Sequence, residues 1–178
     1  MSILLQGCEL ALNMKTLWLL RHAKSSWSDS TLEDHERPLN DRGHRGALAV
    51  GKFIKKNKIS PELILCSTAT RAQQTLEIIV DVSGFSNEVQ NLNSLYLCST
   101  QGLIDHVTSL AESLSSVMMI GHNPGMESFL THLSGVEKHM PTAALAEIKV
   151  ESESWQDVQK RNSARLQWLI TPKDLQEK

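Results

Sequence analysis

Three short apolar runs constrain the fold of this chain more than any other feature of its sequence. Residues 17–20, 63–66 and 117–120 each form an unbroken apolar stretch. Runs of this length without alternation are typical of strands that are buried on both faces of a sheet. Helical patterns lie between them. The sequence therefore predicts an α/β fold, a three-layer sandwich around a mostly parallel central sheet.

Four amphipathic helices are predicted around these runs. Asn40 is the expected cap of the first, which begins near Asp41. Thr100 is the expected cap of the third, and its apolar residues keep helical spacing as far as residue 114. The fourth begins at Pro124, because proline is favoured at a first helical position.

Three further segments are predicted to be strands. Residues 92–97 contain a third strand of the parallel set. Residues 142–150 alternate, with Ala144, Ala146, Ile148 and Val150 on one side, and residues 166–170 alternate in the same way. Alternation is typical of half-buried strands, so these two segments are expected to form an antiparallel edge of the sheet.

Composition limits the classes of function. A chain of 178 residues fits one domain, which we expect at residues 14–178 behind an extension at residues 1–13. The net charge of −2 favours neither nucleic acid nor an anionic membrane, and no apolar run approaches the length of a membrane span. Three widely spaced cysteines argue against a disulfide framework and favour a cytoplasmic location. Nothing in the pattern suggests assembly, so we expect a monomer.

Polar residues follow the end of each apolar run. They are Arg21, His22, Ser67, Arg71, His122 and Asn123. Because the carboxyl ends of parallel strands meet at one edge of a sheet, these side chains are predicted to share a pocket. No acidic residue lies in these turns. Two guanidinium groups favour an anion with several oxygens, such as a phosphoryl group, with Ser67 and Asn123 as further contacts.

The same residues indicate the chemistry. A neutral imidazole can attack phosphorus and form a covalent phosphohistidine. The sequence has no Walker motif, no glycine-rich phosphate loop and no carboxylate cluster for magnesium, so hydrolysis without a metal or cofactor is predicted. A zinc site at His22 and His122 lacks a third ligand of suitable spacing. A nucleophilic Cys66 is disfavoured, because only four residues separate it from Arg71 and none of them is glycine.

Three of these segments resemble motifs of the histidine phosphatase (phosphoglycerate mutase-like) superfamily, namely residues 19–24, 67–75 and 121–125. Residues 34–43, 95–96, 141–142 and 171–175 are similar to its SixA-type phosphohistidine phosphatases. The resemblance implies a phosphoglycerate mutase-like fold. It also implies that His22 becomes phosphorylated, that Arg21 and Arg71 hold the phosphoryl oxygens, and that His122 donates a hydrogen bond to one of them.

One departure from the superfamily pattern bears on the substrate. Many relatives that cleave phosphate esters carry a catalytic glutamate where this chain reads Leu-Tyr-Leu-Cys at residues 95–98. Asp105 and Glu112 are expected instead on the solvated face of the third helix. An alkoxide leaving group needs a general acid, whereas an imidazole leaves phosphorus more readily. The missing glutamate therefore favours a protein phosphohistidine as the substrate.

Alternatives remain open at this point. A loop at residues 25–42 holds Trp27, Asp34 and Arg37, which either contact a substrate or partner or merely fix the loop through an Asp34–Arg37 ion pair.

Two other functions are possible. A small-molecule phosphomonoesterase would need a proton donor such as Asp34. A third possibility is a phosphate- or phosphoprotein-binding module without turnover. The leading expectation is signal transduction, with a histidine-containing phosphotransfer domain or carrier protein as the partner; a small phosphorylated molecule is the alternative.

Overall fold

One six-stranded sheet organises the computed structural model, which describes residues 14–175. The extension predicted at residues 1–13 lies outside the described residues. The strands are β1 (Lys15–Arg21), β2 (Leu63–Ser67), β3 (Glu88–Leu92), β4 (Ser116–Gly121), β5 (Leu145–Val150) and β6 (Ala164–Ile170). Their order is β3-β2-β4-β1-β5-β6; the first four are parallel, and β5 and β6 form an antiparallel edge as predicted.

Both faces of the sheet are covered by helices. These are α1 (Asp41–Lys56), α2 (Thr70–Ser83), α3 (Thr100–Thr108) and α4 (Gly125–Ser134). Leu17 and Leu19 of β1 pack with α3 and α4, and Trp18 and Leu20 pack with α1 and α2. The three-layer sandwich with a mostly parallel sheet is confirmed. No helix among residues 14–175 is long and apolar enough to cross a membrane.

Helix α1 begins where the sequence predicts. The side chain of Asn40 accepts a hydrogen bond of 2.9 Å from the backbone N–H of Gly43. Gly43 is required by a close approach, because a Cβ atom there would lie 2.1 Å from the carbonyl oxygen of Lys24. This contact joins the start of α1 to the segment that follows β1.

Helix α3 differs from its prediction at both ends. Ser99, not Thr100, is the cap, and its hydroxyl accepts from the N–H of Gly102 at 3.2 Å. The helix ends at Thr108, well short of residue 114. The carbonyl of Thr108 accepts a hydrogen bond of 2.6 Å from the side chain of Gln156. Glu112 therefore lies beyond the helix. The apolar residues on either side of it, Leu110 and Leu114, still pack against the core, which is why their spacing suggested a longer helix.

Other local features also differ from their predictions. A strand was predicted within residues 92–97, but β3 lies at residues 88–92 and a 3-10 helix follows at Asn93–Leu95. The prediction failed because this exposed edge strand is polar and only the segment after it is apolar. A bulge beside Glu147 shifts the register of β6, so Leu166 and Trp168 pack on opposite faces of the sheet. Pro124 caps α4 rather than beginning it.

Candidate active site

The carboxyl ends of β1, β2 and β4 place the predicted residues at one edge of the sheet. These strands are neighbours in the order β2-β4-β1, so the segments after them meet. They form a cleft of about 420 Å³. It is lined by Arg21, His22, Lys24, Ser25, Trp27, Asp34, Arg37, Arg71, Leu97, His122, Asn123 and Thr142. Of the six predicted site residues, only Ser67 is outside this lining.

His22 is held as a neutral imidazole with a defined tautomer. Its Nδ1 lies 2.7 Å from the carbonyl oxygen of Ala23, which can only accept, so Nδ1 carries the proton. Its Nε2 accepts a hydrogen bond of 3.3 Å from Nε of Arg71. Burial, followed by the positive charges of Arg71 and Arg21, lowers the pKa of His22 to about 4. The Nε2 lone pair is therefore present at neutral pH, as a nucleophile requires.

His122 lies beside His22, with 4.8 Å between the two ring centroids. Arg71 Nη2 donates to its Nδ1 at 3.4 Å, so Nε2 is the nitrogen that donates to Oγ of Ser67, 2.8 Å away. Burial lowers the pKa of His122 to about 3, and the neighbouring His22 and Arg71 add to the effect.

Ser67 is completely buried, behind His122. Its hydroxyl contacts the imidazole and accepts from the backbone N–H of Ala69 at 3.3 Å. The structure thus gives Ser67 the role of orienting His122. Its predicted contact with a substrate stays a prediction.

Asp34, from the loop after β1, brings a carboxylate into the pocket, although the turns that follow the strands contain no acid. Its Oδ2 accepts from Nη2 of Arg71 at 2.9 Å and from the hydroxyl of Tyr96 at 2.6 Å, and its Oδ1 accepts from Arg37 at 2.7 Å. These donors, with Tyr96 contributing most, lower the pKa of Asp34 to about 2. An ionised carboxylate cannot donate a proton at neutral pH, so the structure argues against Asp34 as a general acid.

Arg21 and Asn123 present unused polar atoms. Arg21 Nη1 donates to the carbonyl of Met140 at 2.8 Å, and Asn123 Nδ2 donates to the same oxygen at 3.1 Å. Nε of Arg21 and Oδ1 of Asn123 are buried and have no hydrogen-bond partner within residues 14–175. A buried N–H without a partner is costly unless a ligand satisfies it, and an anion in the cleft would do so.

The loop after β1 is fixed by Arg37. This buried side chain donates to Oγ of Ser25 and to the carbonyl of Ser26, each at 2.9 Å, as well as to Asp34. Its guanidinium lies 3.1 Å from the ring centroid of Trp27, which is 74% exposed. The Asp34–Arg37 ion pair is confirmed, and Asp34 extends it to Arg71.

Tyr96 was missed as a site residue. Its ring meets His122 edge-on at 5.4 Å, and its hydroxyl holds Asp34. It follows the 3-10 helix after β3, and the only sequence signal for it was the similarity of residues 95–96 to the SixA-type group.

Two other chemistries find no support in the described part of the chain. Burial raises the pKa of the Cys66 thiol to about 12, which leaves it unreactive. Residues 14–175 contain no group of three histidine, cysteine or carboxylate side chains that could hold a metal ion.

Relatives of the chain share most of its length. An uncharacterised chloroplast protein of Arabidopsis thaliana is 34% identical over 152 residues, which are 80% of this chain and 70% of that protein. The phosphohistidine phosphatase SixA of Escherichia coli K12 is 24% identical over 89% of this chain and 95% of its own length.

Solved structures and a family model agree with the fold. The structure of the protein histidine phosphatase SixA complexed with tungstate superposes with a TM-score of 0.77, at 23% identity, and covers 90% of this chain and 99% of that one. The predicted phosphoglycerate mutase-like architecture is thereby confirmed. The model for the histidine phosphatase superfamily (branch 1) matches residues 17–96, which span β1, His22 and Arg71. The chain belongs to the histidine phosphatase superfamily.

Proposed function

We propose that this phosphatase hydrolyses phosphohistidine on a protein, without a metal, through a phosphohistidine formed on its own His22. The observation that carries the proposal is the pair of hydrogen bonds on the His22 ring. Nδ1 donates to a backbone carbonyl, and the unprotonated Nε2 accepts a long hydrogen bond from Nε of Arg71, which would be released as the lone pair attacks. This is the state from which an imidazole attacks phosphorus.

The reaction has two transfers. In the first, the Nε2 lone pair of His22 forms a bond to phosphorus while the bond from phosphorus to the substrate nitrogen breaks. That bond's electron pair returns to the substrate imidazole, which accepts a proton from solvent. In the second, water attacks phosphorus, the bond to Nε2 breaks, and the proton lost by water passes to solvent. Inorganic phosphate and free His22 result.

Arg21, Arg71 and His122 would stabilise the phosphoryl group in transit. Positive charge fixed around its three equatorial oxygens lowers the barrier, because those oxygens carry the charge of the transition state. Arg21 offers its unpartnered Nε, and Arg71 lies between the two imidazoles. His122, held by Ser67, would complete the ring of contacts: the negative charge of a bound phosphoryl group would raise the pKa of His122 and favour its protonated form, which donates to a phosphoryl oxygen.

The carboxylate in the cleft supports the proposed substrate class. Asp34 is the one acid among the lining residues, and its pKa is about 2, so it stays ionised. The cleft then offers no carboxylic acid to protonate an alkoxide. Cleavage of a phosphoramidate depends less on a general acid, because the leaving nitrogen is readily protonated. Phosphohistidine therefore suits this site better than an alkyl phosphate.

An open cleft and an exposed tryptophan support a protein substrate. Trp27 stands at the cleft with three-quarters of its surface exposed, where a partner's surface could cover it. We propose a histidine-containing phosphotransfer domain or carrier as that partner, and a monomeric enzyme that acts in signal transduction. We also propose a cytoplasmic location; within residues 14–175 both cysteines, Cys66 and Cys98, are free thiols, which is compatible with a reducing compartment.

A comparison of two substrates tests the proposal. Loss of phosphate from a phosphorylated histidine-containing transfer domain and from p-nitrophenyl phosphate is measured with a metal chelator present. Fast turnover of the protein, abolished by His22→Ala and retained by the exposed-surface control His44→Ala, is expected. Turnover of p-nitrophenyl phosphate alone would indicate a small-molecule phosphatase. Phosphate binding without any turnover would indicate a binding module.

A further inference from the structure

A second cleft adjoins the active site. It has a volume of about 360 Å³ and shares Lys24 and Thr142 with the catalytic cleft. Its other walls come from the start of α1, from residues 141–143 and from residues 171–173. A ligand bound at His22 could therefore extend into it past Lys24. We call it the basic cleft, because four cationic side chains line it: Lys24, Arg42, Arg45 and Lys173.

None of these four cations forms a salt bridge within the described part of the chain, and no carboxylate lines the basic cleft. Two acids adjoin them along the chain, since Asp41 precedes Arg42 and Asp174 follows Lys173. Asp174 uses its Oδ2 to accept from the N–H and hydroxyl of Thr171, each at 2.8 Å, and the charge of Lys173 contributes to lowering its pKa. The cluster is therefore a local positive field on a chain whose net charge is −2.

Two of these cations lie at the start of α1. Arg42 is its second residue and Arg45 is its fifth, and Asp41 is the acid of the first turn. The helix end itself therefore calls for no bound anion. What marks the basic cleft is that its lining combines four cations with no carboxylate.

We infer that the basic cleft binds acidic side chains that flank the phosphohistidine on the protein substrate. This inference rests on the proposed function and names the feature by which the enzyme selects its substrate. Aspartate and glutamate carboxylates would pair with Arg42, Arg45 and Lys173 while the phosphoryl group lies at His22. Arginine suits carboxylates because its planar fork can donate two parallel hydrogen bonds.

Two phosphohistidine peptides test the inference, one flanked by aspartate and glutamate and the other by serine and glutamine. The wild-type enzyme should show a kcat/KM about tenfold higher for the acidic peptide, as three partly exposed charge pairs suggest. In the triple variant Arg42→Gln, Arg45→Gln, Lys173→Gln this ratio should fall to about one. The matched control Lys55→Gln, Lys56→Gln, Lys58→Gln removes the same charge from the far end of α1 and should keep the ratio.

Binding separates failure of this inference from failure of the proposed function. A fluorescent acidic peptide without phosphohistidine should bind the wild-type enzyme and the control variant, more weakly as salt is raised, and should not bind the triple variant. Equal kcat/KM for the two peptides in the wild type, or equal binding by all three proteins, would overturn the inference. If neither peptide is hydrolysed but the acidic peptide still binds as expected, the proposed function fails and the basic cleft stands.

Discussion

The Nε atom of Arg71 lies 3.3 Å from Nε2 of His22, so a guanidinium donates to the nitrogen that we propose as the nucleophile. Arginine has no lone pair to accept with, which fixes the tautomer of His22. The same guanidinium donates to His122 and to Asp34. One side chain thus contacts both histidines and the loop, and under the proposed mechanism it would also supply charge for the phosphoryl group.

The first prediction concerns the ionisation of His22. Because burial and two arginines lower its pKa to about 4, the imidazole should stay neutral from pH 7 down to about 5. A titration of the imidazole nitrogens by NMR, with His22→Gln to assign the resonance, measures this directly. A midpoint near 6.5, the usual value for histidine, would contradict it.

The second prediction follows for stability. His22 and His122 have lowered pKa values in the folded protein, about 4 and about 3, so between pH 6.5 and 4 the unfolded chain binds protons that the folded chain does not. The free energy of unfolding should therefore rise with pH across this window and fall as pH is lowered, by up to about 1.4 kcal/mol per pH unit for each histidine. Urea unfolding at several pH values measures the slope.

The double variant His22→Gln, His122→Gln is the control for that slope. It removes both groups, so its stability should change much less between pH 6.5 and 4. An identical slope in the variant and the wild type would assign the pH dependence to other residues. Asp34 contributes mainly at the acid end of this window and below it, because its stabilisation is lost between its unfolded pKa of 3.8 and its folded pKa of about 2.

The third prediction separates two roles for Ser67. If its hydroxyl orients His122, Ser67→Ala should lower kcat by about tenfold, the value of one hydrogen bond, and leave KM nearly unchanged. Steady-state kinetics on the phosphorylated protein gives both constants. A rise in KM with kcat preserved would instead show that Ser67 binds the substrate.

The fourth prediction concerns Asp34. Asp34→Asn weakens the hydrogen bond that positions Arg71 and should lower kcat by about 10- to 100-fold, because hydrogen bonds between charged groups have larger free energies than those between neutral groups. Tyr96→Phe removes one hydrogen bond to Asp34 and should lower kcat by a smaller factor. The loss in Asp34→Asn should be similar for p-nitrophenyl phosphate and for an alkyl phosphate. A loss confined to the alkyl phosphate, whose leaving group is poor, would make Asp34 a general acid.

The fifth prediction concerns Gly43. An alanine there would place Cβ 2.1 Å from the carbonyl of Lys24, so Gly43→Ala should lower the free energy of unfolding by about 1–3 kcal/mol. Gly46→Ala is the matched control on the same helix, since its Cβ would meet Pro172 Cγ no closer than 3.4 Å. Denaturant unfolding compares them. Equal stability of the two variants would contradict the close approach.

The sequence predicted the parallel strands and the residues at their ends because those strands are apolar on both faces. Leu17 to Leu20 face two helical layers, so their pattern is unambiguous. Strand β3 was misplaced for the opposite reason, since an exposed edge strand needs no apolar residues.

The contacts that sequence reasoning missed join distant residues. Asp34 contacts Arg71 from a loop that Arg37 fixes to Ser25 and Ser26, and Tyr96 contacts Asp34 from the far side of β2. Ser67 was assigned to the correct sheet edge. Which way its hydroxyl points is decided by the packing of His122, which no local pattern reports.

Trapping the phosphorylated enzyme tests the central claim most directly. The enzyme is mixed with a phosphorylated histidine-containing transfer domain, quenched in alkali within milliseconds, and examined by mass spectrometry and 31P NMR. Phosphate on Nε2 of His22, formed and lost at rates that match turnover and absent in His22→Ala, is the predicted result. Turnover without any phosphate on His22, or turnover that survives His22→Ala, would contradict the mechanism.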